Sequence, residues 1–173
     1  LIVATYGRIR YVAEVAGDHC DRLITIGGAP GYRGVLQPEK LFPKGLQVPL
    51  PEDAPMVPDI NEFRFGYLVR ISEEVVMEGH AAGHYSGTHF RYPVVYGPRQ
   101  VSHGVWGLMQ RFTDKRPHIV LPEGGLTLTT HGYSENVAHA VLLAAQQPEV
   151  AAGQIYNCAD ERQFTLAQWV QVI

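Results

Sequence analysis

Cysteine is scarce in this sequence: Cys20 and Cys158 are the only two in 173 residues, far apart and with no C-x-x-C partner. Neither a disulfide framework nor a zinc knuckle is expected, and a reducing, cytoplasmic setting fits. Long apolar runs are missing as well. No stretch of 18 apolar residues and no charged-then-apolar leader occurs, so neither a membrane span nor a signal peptide is expected. Charge of one sign is not in excess either. Fourteen Lys and Arg against 17 Asp and Glu give a net charge of -3, without the basic surplus that nucleic acid or an anionic membrane attracts. Arg111, Lys115 and Arg116 read as a solvated helix end. The sequence has no H-E-x-x-H and no G-x-S-x-G, which leaves zinc-protease and hydrolase-elbow chemistry without a motif. His80 and His84 stand one helical turn apart with His89 beyond, but Gly79 and Gly83 end the helix there and no metal site is expected.

What is present is apolar surface enough for a core. Hydrophobic residues make up 46% of the chain, and a chain of this length buries roughly 70% of its unfolded surface. Apolar periodicity predicts a helix over Arg8–Ala16, a buried strand over Arg22–Ile26, and an amphipathic helix over Arg64–Ala82 with Leu68, Ile71 and Val75 on its apolar face. A strand over 87–97, a helix over 101–112 and short strands at 118–121 and 126–130 follow. A helix opening at Ser134 as its cap, a strand over 153–160 and a helix starting at the capping box Thr165–Gln168 complete the chain. Seven of the twelve prolines fall between 27 and 62, which makes that stretch a long surface loop. Helices alternating with apolar strands predict an α/β fold with a mostly parallel sheet covered on both faces.

The stretch "RLITIGGAPGYRG" (22–34) runs a strand into glycines at 28, 31 and 34, the spacing of a dinucleotide-binding turn. A pyrophosphate cradle also needs a helix N-terminus at once. Pro30, Pro38 and Pro43 leave no room for one, and the acidic residues about 20 positions on, Glu52 and Asp53, fall in proline-rich loop.

Several separated segments carry a family likeness. Arg91-Tyr92-Pro93 followed by Tyr96-Gly97-Pro98-Arg99, the helix start Glu135-Asn136-Val137-Ala138, and "GQIYN" at 153–157 occur in order, with "TYGRIRYVAEVA" before "DRLITIGG". Together they resemble the NAD-dependent epimerase/dehydratase family, the extended short-chain dehydrogenase/reductases. The resemblance implies a Rossmann-like NAD(P)-binding domain with a smaller interleaved C-terminal substrate domain. The first would take residues 1–98, with 129–147 returning to it, and the second mainly 99–173. It also implies NAD or NADP as cofactor and a nucleotide-sugar or similar hydroxylated small molecule as substrate, and leaves room for a homodimer. The family's glycine fingerprint lies at its first strand-helix turn, so the chain is expected to be a partial sequence starting after it.

The family's chemistry asks for a Tyr, a Lys four residues later and a Ser or Thr at the strand end. Residues i and i+4 share a helix face, so an ammonium there lowers the phenol pKa. Taking Tyr67 as the tyrosine places Ile71 at the lysine position; taking Arg70 as the lysine places Gly66 at the tyrosine position. Tyr67 and Arg70 are the candidate catalytic pair, with Arg70 also able to pair with Glu73 or Glu74 on the surface. Counting back from Tyr32, the strand-end hydroxyl falls at Gly28, after Gly27, and neither bears oxygen on a side chain. By resemblance Gly27, Gly28, Tyr67, Pro93, Val94 and Val95 are candidate cofactor contacts, and Arg99 and His131 candidate substrate contacts. Two functions follow: an oxidoreductase, epimerase or dehydratase, or a catalytically silent member that binds a nucleotide or a protein partner.

Overall fold

A computed structural model describes residues 1–5, 7–100 and 104–173. The chain divides into two compact units, one made of Leu1–Tyr92 and Val141–Cys158, the other of Pro93–Ala140 and Ala159–Ile173. The first division thus falls at Tyr92 and not at 98, and the returning segment is 141–158 and not 129–147.

The first unit is a parallel sheet with helices. Its elements are β1 (Ile2–Thr5), α1 (Ile9–Ala16), β2 (Arg22–Gly28), α2 (Arg64–Ala81) and β3 (Ser86–Tyr92). The short strand β1 carries no alternation strong enough to be read from sequence. Strands pair in the order β1-β2-β3 and then a returning strand over Gln154–Asn157, every pairing parallel. Both β2 and β3 are buried along nearly their whole length; β2 has the apolar run that such burial favours, whereas β3 buries Thr88, His89 and Arg91. One face is closed by α1 and α2, with Ile9, Ala13, Ala16, Leu23, Val76 and Tyr85 as its core.

The apolar side of α2 differs from the sequence expectation. Gly66, Glu73 and Val76 are its buried residues, whereas Leu68, Ile71 and Val75 are half-buried. The reason is that α2 meets two neighbours, the sheet on one side and α1 on another, so its burial does not follow a single stripe. The proline-rich loop expected over 27–62 starts only after Gly28, since Gly27 and Gly28 are buried residues of β2, and it is tied down. Val57 N donates to Gly31 O, Arg33 N to Pro55 O, and Asn157 Nδ2 to Leu50 O.

The strand expected over 87–97 breaks at Pro93, which has no N–H to give a ladder. Beyond it lies β4 (Val94–Tyr96), in the second unit, followed by α3 (Gly104–Thr113). Residues 101–103 of the expected helix lie outside the described residues. β5 (Leu128–Thr129) and β6 (His131–Tyr133) come next, the latter pairing with β4. The apolar run 118–121 is not a strand, and the strand expected over 126–130 is reduced to β5. α4 (Ser134–Gln146) begins where expected, although the Ser134 hydroxyl donates to Pro98 O. α5 (Pro148–Ala151), β7 (Gln154–Asn157), β8 (Phe164–Thr165) and α6 (Leu166–Val172) complete the chain, with the Thr165–Gln168 capping box formed. Among the described residues no helix is long and apolar enough to cross a membrane.

Candidate functional site

Open parallel sheets bind ligands beyond the carboxyl ends of their strands. In the first unit those ends bring Gly27, Gly28, Arg91, Tyr92 and Asn157 together, since Gly27 pairs with Arg91, Gly28 with Tyr92, and Arg91 with Asn157. The residues after Gly28 turn directly into the loop that covers them, through a short 3-10 turn at Ala29–Gly31.

Beneath this end lies a buried polar cluster. Arg91 donates from Nε and Nη2 to the two oxygens of Glu73, each at 2.6 Å. From Nη1 it donates to the Tyr32 hydroxyl and, at 2.7 Å, to Glu52 O. Tyr32 in turn donates to Asn157 Oδ1 at 2.8 Å, and Asn157 N to Glu52 Oε1 at 3.0 Å. On the other side of Glu73, His89 Nε2 stands 3.5 Å from Oε2 without a hydrogen bond, while Nδ1 is 2.7 Å from Thr25 Oγ1. Burial opposes ionisation of Tyr32 and raises its pKa although Arg91 acts against it.

Sequence reasoning did not find this cluster. A signal was there: an arginine inside a continuous buried strand requires a buried carboxylate nearby, and Glu73 interrupts the buried side of α2. Of the two partners expected for Arg70, Glu73 or Glu74, it is Glu74 that pairs with it, because Glu73 faces Arg91. Arg70 Nε lies 3.1 Å from Glu74 Oε1, one turn on, and its Nη1 donates to Val57 O at 2.8 Å and Pro58 O at 2.9 Å.

His89 is driven down to a pKa of about 4 by burial, with Glu73 opposing that shift and Arg91 reinforcing it. Its ring is therefore neutral in the folded protein at neutral pH. The unfolded chain takes up the proton first, at about pH 6.5, so stability falls as pH drops from about 6.5 towards 4. Linkage gives a loss of about 3 kcal/mol over that window. Urea unfolding between about pH 7 and about pH 4.5 checks it; His89→Asn is expected to flatten the slope.

Gly66, Val69, Glu73 and Val76 run along the side of α2 that meets β2, β3 and the loop after β2. A Cβ at Gly31 would lie 3.3 Å from Val69 Cγ1, and one at Gly66 only 2.5 Å from Pro30 O and 2.7 Å from Val57 Cγ2. Tyr67 is one residue, about 100°, around the helix from Gly66, and Ile71 is about 200° from Glu73. Tyr67 and Arg70 do meet, the guanidinium carbon lying 5.3 Å from the ring centroid. Gly28 is extended, at φ -160° and ψ 162°.

In the second unit Pro93 and Val95 are half-buried and Val94 is exposed, with Val94 beside His131 and Val95 beside Gly132 in the β4–β6 ladder. Arg99 is exposed, in the left-handed region at φ 65°. His131 is buried and stacked on Trp169 at 3.8 Å between centroids, and burial lowers its pKa although Asp160 acts the other way. Tyr96 packs edge-on against Trp169. A 530 Å³ cavity of this unit is lined by Tyr96, Tyr133, Asn136, Asp160, Arg162 and Trp169 among others. Among the described residues no group of three or more His, Cys, Asp or Glu side chains is gathered as a metal would require.

The parallel strand order with its Gly-Gly strand end has a counterpart among known families. The family model described as the NAD dependent epimerase/dehydratase family matches residues 40–159. The chain belongs to that family. No curated protein sequence matches it. Solved structures with the same fold include a UDP-glucuronic acid 4-epimerase from Bacillus cereus, crystallised with UDP-glucuronic acid and NAD. It is 18% identical, with a TM-score of 0.69 over 92% of this chain and 46% of that one. The epimerase Mth375 from Methanothermobacter thermautotrophicus gives a TM-score of 0.75 at 13% identity, over 95% of this chain and 46% of that one. A dTDP-glucose 4,6-dehydratase double mutant from Streptomyces venezuelae, solved with NAD bound, gives 0.69 at 15% identity, over 95% and 47%. This family member thus spans about half the length of the structures it matches.

Proposed function

We propose that the protein binds NAD or NADP and a hydroxylated small molecule of the nucleotide-sugar class, and that it is a catalytically silent member of its family. Family membership and the NAD-bound relatives of the same fold support the ligand classes. The observation that carries the silence is the contact of Gly66 with Pro30: a Cβ there would stand 2.5 Å from a backbone oxygen. The tyrosine position that pairs with Arg70 therefore has no space for a phenol. The other spacing, Tyr67 with Ile71, has no cation at its fourth residue. When bound, the nicotinamide supplies a hydride acceptor; a proton must move with the hydride, and the β2 end offers no side-chain hydroxyl to carry it. Gly27 and Gly28, extended main chain at the β2 end, fit holding a ring. They do not fit relaying a proton. Arg99, exposed in the second unit, remains a candidate anion contact for the substrate, whereas His131 is buried in a ring stack and acts only as support.

A second reading has one observation in its favour, the guanidinium of Arg70 over the ring of Tyr67. In it Tyr67 is the proton carrier and Arg70 the cation, although Arg70 is already held by two loop carbonyls. Calorimetry with NAD and NADP, alongside turnover assays on a panel of nucleotide sugars, separates the two. Saturable dinucleotide binding without turnover is the expected result. Turnover that falls about 100-fold or more in Tyr67→Phe would establish the second reading, and absence of dinucleotide binding would remove both.

A further inference from the structure

We infer that Gly27 and His89 form a sterically coupled pair, in which the imidazole occupies the space a side chain at position 27 would need. A Cβ built on Gly27 would lie 2.6 Å from His89 Nε2 and 2.8 Å from Cε1, closer than such atoms approach in folded proteins. Flexible side-chain ends normally yield to a clash of this kind. This ring cannot, because it is completely buried, its Nδ1 is held at 2.7 Å by Thr25 Oγ1, and the Arg91–Glu73 ion pair stands behind it. Thr25 and Gly27 point to the same face of β2, and His89 is directly opposite Thr25 in the ladder, so all three groups share one confined layer under α2. The glycine is thus required by packing, independently of whether a ligand approaches it. His89 Nε2 is left without a hydrogen-bond partner in that layer, which makes the imidazole a filler of volume on this side and a hydrogen-bonding group only on the side of Thr25.

The coupling extends the silent reading without depending on it, since it concerns the ligand-free protein. It assigns the strand-end glycine to the histidine under it and makes the two positions substitutable only together.

A double-mutant cycle tests this in the protein without ligand. Asn at position 89 keeps a polar atom for Thr25 and lacks the Nε2 and Cε1 atoms that crowd position 27. Gly27→Ala alone is expected to lower the thermal midpoint by about 5 °C, as overpacking does. In the His89→Asn background the same change is expected to lower it by no more than about 1 °C. An equal drop in both backgrounds, or no drop in either, overturns the pairing. Should Gly27→Ala fail to fold, the recovery of folded protein in Gly27→Ala/His89→Asn supports the pairing and its continued failure to fold overturns it. Dinucleotide calorimetry on the unmodified protein is read separately, so loss of the ligand reading leaves this result intact.

Discussion

Glu73→Gln is expected to destabilise the protein by about 3–5 kcal/mol, the range for removing one partner of a buried ion pair. The substitution keeps the shape of the side chain and one oxygen, so it isolates the charge. Glu73 and Arg91 are both almost wholly buried and joined by two hydrogen bonds of 2.6 Å. With the carboxylate gone, the guanidinium remains in the interior facing neutral acceptors, the amide oxygen left at position 73, the Tyr32 hydroxyl and Glu52 O. Removing both charges together should recover much of the loss, because buried pairs are commonly replaceable by apolar residues of similar volume. Arg91→Met/Glu73→Leu is therefore expected to be more stable than Glu73→Gln. Urea unfolding measures all three; a Glu73→Gln loss below about 1 kcal/mol would place the pair among those that solvent screens.

Gly66→Ala should also be strongly destabilising, against the ordinary sign for a helix. In a helix interior Ala is favoured over Gly by about 1 kcal/mol. Here the added methyl would stand 2.5 Å from the Pro30 carbonyl oxygen, and a backbone atom cannot rotate out of the way. Overpacking of this kind costs about 1–3 kcal/mol, to which the strain of moving the loop after β2 adds. A net loss of about 2 kcal/mol or more is expected. Gly107 in α3 is the control, since a Cβ there would meet only Arg111 Nη1 at 3.5 Å. Gly107→Ala is expected to be neutral or stabilising. If Gly66→Ala is as benign as Gly107→Ala, there is room beside Pro30 for a side chain, and the contact of Gly66 with Pro30 no longer supports a silent protein.

The legibility of the fold varied with the range of the interactions that make each element. The Thr165 capping box is formed as its four-residue spacing predicts, because both partners lie within one turn. The helices at Ile9 and Ser134 start within a residue of their expected positions. By contrast β1 is a strand only because β2 offers it a parallel partner, and the apolar residues at 118–121 have no such partner. Pro93 ends β3 by a local rule, lack of an N–H, yet where the chain goes next is decided by the pairing of Val94–Tyr96 with β6.

At the site the division is the same. The absence of a hydroxyl at Gly27 and Gly28, and the mismatch of Tyr67 and Arg70 with a four-residue spacing, are properties of the letters alone. The sequence alone also determined the alternation of helices with parallel strands, since both follow from apolar periods of a few residues. Which side of α2 meets the sheet came only from tertiary structure, because a helix packed against two neighbours shows no single apolar stripe. The partnership of Glu73 with Arg91, the space His89 takes from Gly27 and the contact of Gly66 with Pro30 were likewise decided there. Each joins residues far apart in sequence at distances of a few ångströms, where a single methyl group or charge changes the outcome, and no local pattern encodes that approach.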